Sequence, residues 1–278
     1  MAKKSSISVL PDLPECVDTA VCNITNPITC NVGNTLGDLW YLVFGGIHQA
    51  AEKKRLKIAA NLEQFKDELE AGVNAIPEER KVEPKLQIVG PALESAKYCI
   101  EEPALRAMFA RLISRSMDSS YTQKVHPSFT NMISQMTPVD AEILKNLFLF
   151  SSSQNDIDII KLTFQTLSGD HRTIYANRIL DQIKRFNSYE KSISINSLAR
   201  LGIIYLEFLP FSIADAIEDG LELPSSRNLA EISHYQNLLI SKPQEVFPNK
   251  NNKIINSCAI RGKLCFTEIG NMFSSTCI

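Results

Sequence analysis

The sequence contains little glycine, and it lacks several features that mark membrane and secreted proteins. Glycine accounts for only 11 of the 278 residues, which favours a helical fold. The longest apolar run, Leu39 to Ile47, is much shorter than the roughly 20 residues that a membrane-spanning helix needs. Lys3 and Lys4 are not followed by the apolar segment of a secretory signal. We therefore expect a soluble protein of the cytoplasm.

The sequence also lacks an excess of charge of either sign. Lys and Arg number 29 and Asp and Glu number 31, so the formal net charge is −2. Nucleic-acid-binding domains usually show a basic surface, which this balance does not predict. With 44% hydrophobic and 22% charged residues, the chain has the composition of an ordinary globular protein.

Motifs of metal binding and catalysis are missing as well. The seven cysteines contain no CxxC pair, and the four histidines are scattered, so we predict reduced thiols, no metal site and no cofactor. GxSxG, GxxxxGK[ST] and HExxH do not occur. We therefore expect a protein that is not an enzyme and has no small-molecule ligand. A cysteine nucleophile with a base supplied by the fold stays open as an alternative.

Helical periodicity is what the sequence does contain. Residues 1–34, rich in Pro, Ser, Thr and Asn, are predicted to be an irregular tail. Residues 35–76 carry apolar side chains at steps of three and four, which predicts a long amphipathic helix, or a helix pair if Gly45 and Gly46 interrupt it. Segment 36–47 is interpreted as a buried core or oligomer contact. Because the basic sequence EKKRLK follows it, membrane contact is the alternative.

Residues 77–189 are predicted to form a helical core. Pro84 is predicted to open a helix at its first turn, and Gly90-Pro91 to break or kink that helix. The next helix, near residues 103–117, has an apolar face, and three arginines point away from it: Arg106, Arg111 and Arg115.

The second half of this core is predicted to continue as helix. Thr137-Pro138 has the pattern of a helix start. Two further helical patterns lie near residues 155–167 and 172–188, with Asp156 and Asp158 interpreted as solvated charges at a helix entry. The absence of alternating strands and helices argues against a parallel sheet.

Residues 190–278 are predicted to form a winged-helix-like α+β domain, because helix, strand, helix, strand and a helix capped by Thr267 follow one another. Such a fold reads DNA when its helix is basic. Here the helix before the first strand offers little beyond Lys191 and Arg200, and the segment has eight basic and nine acidic residues. A structural or protein-binding winged helix is therefore favoured, with nucleic-acid binding as the alternative.

The segment SMDSSYTQKVHPSF, residues 116–129, is the one place where an acid and a histidine lie close in sequence. Asp118 could orient His126 for acid/base catalysis. The flanking residues favour a hinge, because Met117 ends one helix and Pro127 opens the next. We therefore predict that Asp118 and His126 fasten the loop.

Around this segment the sequence has a Glu-Pro opening, a Gly-Pro inside the next helix, a helix ending at Met-Asp, and His-Pro-Ser-Phe. In this order the motifs resemble the Abi-alpha (abortive infection alpha) family of bacterial proteins. The tail segments LARLGII and LCFTEIGNMF are similar too. The matching positions are Glu83, Pro84, Gly90, Pro91, Met108, Phe109, Met117, Asp118, His126, Pro127, Ser128, Phe129 and Pro138.

The resemblance implies resistance to bacteriophage by abortive infection, and it supplies no catalytic residue. We therefore expect a mainly α-helical defence protein that acts through a protein partner or self-association. The alternatives are a winged-helix regulator that binds nucleic acid and, more weakly, an effector that perturbs membranes through segment 36–47.

Overall fold

The computed structural model describes residues 33–44, 52–151, 156–166, 169–208, 226–246 and 254–278. The chain divides into two compact units, residues 1–122 and 123–278. Nearly all of the predicted N-terminal tail, 1–34, lies outside the described residues. The first unit is helical, and the second combines helices with one sheet, so the prediction of a mainly α protein with a C-terminal α+β part is confirmed.

The described residues of the first unit form four helices. They are α1 (Gly33–Phe44), α2 (Glu52–Asn74), α3 (Leu86–Cys99) and α4 (Pro103–Ser116), with single 3₁₀ turns at Glu78–Arg80 and Ser119–Tyr121. The interval between α1 and α2, residues 45–51, which contains the break predicted at Gly45-Gly46, lies outside the described residues.

The apolar stripe of α1 and α2 forms the core of the first unit. Trp40 and Phe65 stack with centroids 5.5 Å apart, and Phe44 lies 4.6 Å from Trp40. All three side chains are almost fully buried. The helical spacing that predicted a buried face is therefore confirmed for the described part of 36–47.

The remaining elements lie in the described residues of the second unit. Its helices are α5 (Ser128–Ser134), α6 (Pro138–Ser151), α7 (Arg178–Gln182), α8 (Ser188–Arg200), α9 (Ser226–Ser241), α10 (Pro243–Val246) and α11 (Glu268–Cys277). Its strands are β1 (Asp156–Thr166), β2 (His171–Ala176), β3 (Ile204–Phe208) and β4 (Ile254–Phe266). The strands form an antiparallel sheet of order β2-β1-β4-β3.

The two helices predicted near residues 155–167 and 172–188 were wrong, because β1, β2 and the short α7 occupy these positions. Ile157, Ile160 and Phe164 are spaced by three and four residues, as on a helix. Burial shows a period of two instead, with a shift at the Ile159-Ile160 step. Two apolar neighbours at this step produced the misleading helical spacing.

The shift means that β1 buries opposite faces in its two halves. Ile160, Leu162 and Phe164 pack with residues of α9 and α10, among them Tyr235 and Val246. Successive side chains on a strand alternate between faces, so Ile157 and Ile159 lie on the other side of the sheet. Their face is shared by β4, where Leu264 pairs with Ile157.

The sheet is strongly curled. Tyr175 and Phe208 belong to β2 and β3, the two outer strands, yet their stacked rings are 6.3 Å apart. In a flat sheet, three strand spacings would separate them by about 14 Å. The winged-helix arrangement is not confirmed, since β4 pairs with β1 and the sheet spans the boundary expected at residue 190.

Candidate functional site

The motif residue Asp118 is almost completely buried and is fully engaged with its neighbours. One carboxylate oxygen accepts hydrogen bonds from the backbone NH and the hydroxyl of Ser120, at 2.9 and 2.7 Å. The other accepts from Arg80 Nη2 at 3.2 Å. Asp118 thereby caps the 3₁₀ turn that follows α4 and holds the turn that precedes α3.

Met117 and Val82 add a backbone connection at the same place. The NH of Val82 donates to the carbonyl of Met117 at 2.9 Å, and Lys81 forms an isolated antiparallel bridge with Asp118. Met117, the C-cap of α4, is fully buried. The Met-Asp pair therefore fixes the end of α4 to the linker before α3.

His126 makes a local cap at the start of α5. Its Nδ1 accepts the backbone NH of Ser128 at 3.1 Å and lies 2.7 Å from the Ser128 hydroxyl. Because Nδ1 accepts a hydrogen bond from this NH, the proton of a neutral ring lies on Nε2. The ring is exposed and contacts Phe129 at a centroid distance of 6.1 Å.

Asp118 and His126 have different hydrogen-bond partners. Asp118 belongs to the first unit and His126 to the second. Each is engaged by residues of its own unit, Asp118 by Arg80 and Ser120, and His126 by Ser128. Asp118 and His126 each form a local cap, and their fastening of the two helices to each other stays a prediction.

The motif residues Glu83 and Pro84 lie in the linker just before α3. The helix begins at Leu86 with Lys85 as its N-cap, so Pro84 precedes it and does not stand in its first turn as predicted. Pro84 is buried, whereas Glu83 is exposed. A proline restricts the preceding residue to extended conformations, which suits a linker that runs up to a helix.

Gly90 and Pro91 lie inside α3, which is continuous from Leu86 to Cys99. A Cβ at Gly90 would meet nothing within 4 Å, so packing does not require glycine there. A residue before proline is disfavoured in the helical region because its Cβ and NH clash with the proline ring. Glycine has no Cβ, and this explains how α3 continues up to Pro91.

His126-Pro127-Ser128-Phe129 ends in the core of the second unit. Phe129 is fully buried and meets Phe273 of α11 edge to face, with centroids 5.2 Å apart. Pro127 is the N-cap residue of α5 and uses no side-chain cap. The motif therefore anchors α5 to the C-terminal helix.

The two tail segments, LARLGII and LCFTEIGNMF, meet each other in the structure. Gly202 ends α8 with φ of 72°, a conformation that glycine adopts without strain. Thr267 caps α11 by accepting the NH of Gly270, and its hydroxyl donates to the carbonyl of Gly202 at 2.5 Å. A Cβ on Gly270 would lie 1.8 Å from the Ile203 carbonyl oxygen. The capping role predicted for Thr267 is confirmed.

Arg106 was predicted to point away from the apolar face, and that was wrong. It is buried, and its guanidinium contacts Glu68, Asn61 and the carbonyl of Ile100. The sequence did contain a signal, because Arg106 is spaced by four and seven residues from Ala110 and Ile113, both buried. Without Glu68 as an expected partner, a charged residue was assigned to the surface.

Asp140 is a second buried acid that the sequence reading missed. It closes a reciprocal cap with Thr137: the Thr137 NH donates to Oδ2 at 2.8 Å, and the Asp140 NH donates to the Thr137 hydroxyl at 3.2 Å. The Ser197 hydroxyl also donates to Oδ2 at 3.2 Å, which ties α6 to α8. The helix start predicted at Thr137-Pro138 is confirmed.

The ionisable groups of these segments give no catalytic constellation that we recognise. Burial, together with the nearby charge of Glu102, raises the pKa of the Cys99 thiol above its ordinary value. A nucleophilic cysteine needs a lowered pKa, so Cys99 is poorly suited to that role. Asp158 does not enter a helix as expected, but lies on β1 and pairs with Arg261 at 2.8 Å. His234 lies exposed on α9, where its ring contacts that of Tyr235.

Among the described residues, no group of three or more His, Cys, Asp or Glu side chains could hold a metal ion. Within the same ranges, no helix combines the length and apolar character needed to cross a membrane.

The chain matches a model of the abortive infection alpha family over residues 57–277, a range that includes both sets of motif segments. No curated protein matches it. A solved structure of an uncharacterized protein from the hydrocarbon-degrading marine bacterium Alcanivorax borkumensis SK2 is 14% identical. That match covers 57% of this chain and 94% of the other, with a TM-score of 0.27, which supports no conclusion about the fold.

Proposed function

The chain belongs to the abortive infection alpha (Abi-alpha) family, and we propose that it is a cytoplasmic bacterial protein of antiphage defence. We propose further that it acts through contacts with proteins, either a partner or a second copy, and not by catalysis. The family supports abortive infection as the process. The mechanism is our inference from how the motif residues are used.

The engagement of Asp118 is the observation that carries this proposal. A catalytic acid needs an oxygen that faces a substrate, whereas both carboxylate oxygens of Asp118 accept hydrogen bonds from Ser120 or Arg80. His126 likewise uses Nδ1 to cap Ser128. The motif residues therefore stabilise the fold, and we infer that the protein acts through its surface.

Nucleic-acid binding through α8 is less well supported. Of the two cations that the helix offers, Lys191 is buried and Arg200 donates to Gln135 at 2.9 Å. The helix packs between α6 and β2, where Ser192 accepts the NH of Tyr175. Affinity for DNA depends on several cations that reach phosphates, and α8 does not present them.

Membrane perturbation through segment 36–47 is also less well supported. Leu36, Trp40 and Phe44 face the core of the first unit and are almost fully buried. Leu42 alone among the described large apolar residues of this segment is highly exposed. A helix that inserts in a membrane surface needs a continuous apolar face available to lipid.

A plaque assay combined with thermal melts tests the proposal. Cells that express the wild-type chain are expected to restrict phage, and Asp118→Asn should weaken protection only as far as it lowers the melting temperature. The Asn retains an oxygen for Ser120 but loses the charge that faces Arg80, and the expected cost is about 1 kcal/mol. Glu79→Gln, which changes an exposed carboxylate next to Arg80, is the matched control.

Protection that vanishes in Asp118→Asn with the melting temperature unchanged would show that Asp118 does chemistry, and would overturn the non-enzymatic mechanism. A gel shift with duplex DNA over a salt series tests the nucleic-acid alternative in the same preparation. Tight binding that weakens steeply with salt would favour that alternative.

A further inference from the structure

The described residues leave a largely apolar stripe exposed on the solvent side of α3. We call it the α3 stripe and define it by Leu86, Gly90, Pro91, Glu94 and Tyr98. Glu94 is its one acidic residue, and it pairs with Lys97 of the same helix at 3.9 Å. Leu86 is 60% exposed and Tyr98 is 79% exposed. The opposite side of the helix is buried in the first unit through Ile88, Val89, Ala92, Leu93 and Ala96.

The middle of the stripe allows another backbone to come close. A Cβ at Gly90 would meet no atom within 4 Å, so no neighbouring side chain covers the helix backbone at this point. Pro91 has no amide hydrogen and gives no helical hydrogen bond to the carbonyl of Gln87. A proline inside a helix costs about 3 kcal/mol, and exposed Pro91 recovers little of this by burial. A role in docking would account for its presence.

We propose that the α3 stripe binds the same stripe of a second copy, antiparallel across a two-fold axis. This rests on the proposed function, which it deepens by naming the partner. A two-fold interface must be complementary to itself. Leu86 and Tyr98 are each six residues from Ala92, near the middle of α3, so an antiparallel copy places Leu86 against Tyr98 twice, with Gly90 against Glu94 between the two contacts.

The charges at the two ends of α3 are complementary in the same arrangement. Lys85 precedes the helix and is exposed, and the first turn contains neither an acidic residue nor a side-chain cap. Glu102 follows the helix, is exposed, and lies near enough to affect Cys99 of the last turn. Antiparallel pairing brings each Glu102 towards the Lys85 and the positive helix N-terminus of the other copy.

The dimer is expected to be weak. Stable interfaces bury about 1,200 Å² or more, and one pair of short helices covers less than that. Self-association should therefore appear in sedimentation-velocity experiments across a loading range from about 1 µM to about 1 mM. A species that grows with concentration is the first expected result.

Matched apolar substitutions locate the surface. Tyr98→Ala is expected to raise the dimer dissociation constant by about tenfold or more, because aromatic residues at the centre of an interface contribute most to affinity. Leu42→Ala is the control, since Leu42 is 78% exposed on α1 of the same unit. It should leave the dissociation constant unchanged, and neither variant should change the melting temperature.

Charge reversal tests the orientation. Lys85→Glu and Glu102→Lys are each expected to weaken the dimer, and the double variant should restore it, because each pair of charges spans the two copies. Lys145→Glu is the control, because it reverses the charge of an exposed residue on α6 of the second unit. A parallel pairing would not show this rescue.

A wild-type chain that stays monomeric over the whole range overturns the inference. So does a dimer that Tyr98→Ala leaves intact, because it would use another surface. Plaque assays on the same variants separate the two proposals. Protection by a strictly monomeric chain defeats the α3 dimer but not the defence role, whereas a dimer as described without any protection defeats the defence role alone.

Discussion

Arg106 holds one carboxylate oxygen of Glu68 between two of its nitrogens, Nε at 3.2 Å and Nη2 at 3.0 Å. The pair joins α4 to α2 inside the first unit, with the arginine side chain only 6% exposed and the glutamate 34% exposed. The second oxygen, Oε2, is buried and has no hydrogen-bond partner among the described residues. The pair therefore joins α4 to α2 by a largely buried polar contact.

Replacement of Glu68 by alanine should destabilise the protein by about 2 kcal/mol, because it leaves the Arg106 charge buried without its carboxylate. The value lies below that of fully buried pairs, since Glu68 reaches solvent. Chemical denaturation measures the change, and Glu63→Ala, exposed on the same helix, should have almost no effect. Equal effects of the two substitutions would contradict a role of the pair in stability.

Gly270 should tolerate no side chain, whereas Gly90 should. Gly270→Ala places a Cβ against the backbone of Ile203, which cannot rotate away, and we expect a loss of about 3 kcal/mol in the free energy of unfolding. Gly90→Ala has open space and a better helix propensity, set against the strain of a Cβ before Pro91, so its change should stay within about 1 kcal/mol. Thermal melts of both variants make the comparison.

Removal of the Thr267 hydroxyl should loosen the C-terminal helix. Thr267→Ala loses both the cap of α11 and the hydrogen bond to Gly202, at a cost of about 1–2 kcal/mol. Thr267→Ser retains the hydroxyl and should recover most of this stability. A serine variant no more stable than the alanine variant would assign the effect to the methyl group.

The Cys99 thiol should react slowly with alkylating reagents near neutral pH, because its raised pKa keeps it protonated. Glu102→Gln removes a negative charge that disfavours the thiolate, so the pKa should fall and the alkylation rate at fixed pH should rise severalfold. Peptide mass spectrometry follows Cys99 separately from the other cysteines. A rate that Glu102→Gln leaves unchanged would mean that burial alone sets the pKa.

The first unit could be predicted largely from helical spacing, because its helices bury one face each. Trp40 and Phe65 fall on the apolar stripe and lie in the core. The burial of Arg106 was not predicted, because it depends on Glu68, which is 38 residues away in the chain. Spacing within one helix carries no information about such a distant partner.

The sheet could not be predicted in the same way. β1 pairs with β4 about a hundred residues later, and its Ile159-Ile160 step imitates helical spacing. The structural role of the candidate site was predicted, but the partners of its residues were not. Turn and cap residues around Met117 and Pro127 indicated a structural segment, while the partners of Asp118 and His126 depended on Arg80 and on the local turn of Ser128.

The change of buried face along β1 has a consequence for how the second unit unfolds. Residues 157–159 and 160–164 line cores on opposite sides of the sheet but belong to one continuous strand. A shift of register by one residue would expose both apolar sets at once. If one core unfolds, the other loses β1, the strand that both cores share. The two layers should therefore lose their protection from hydrogen exchange in a single cooperative step.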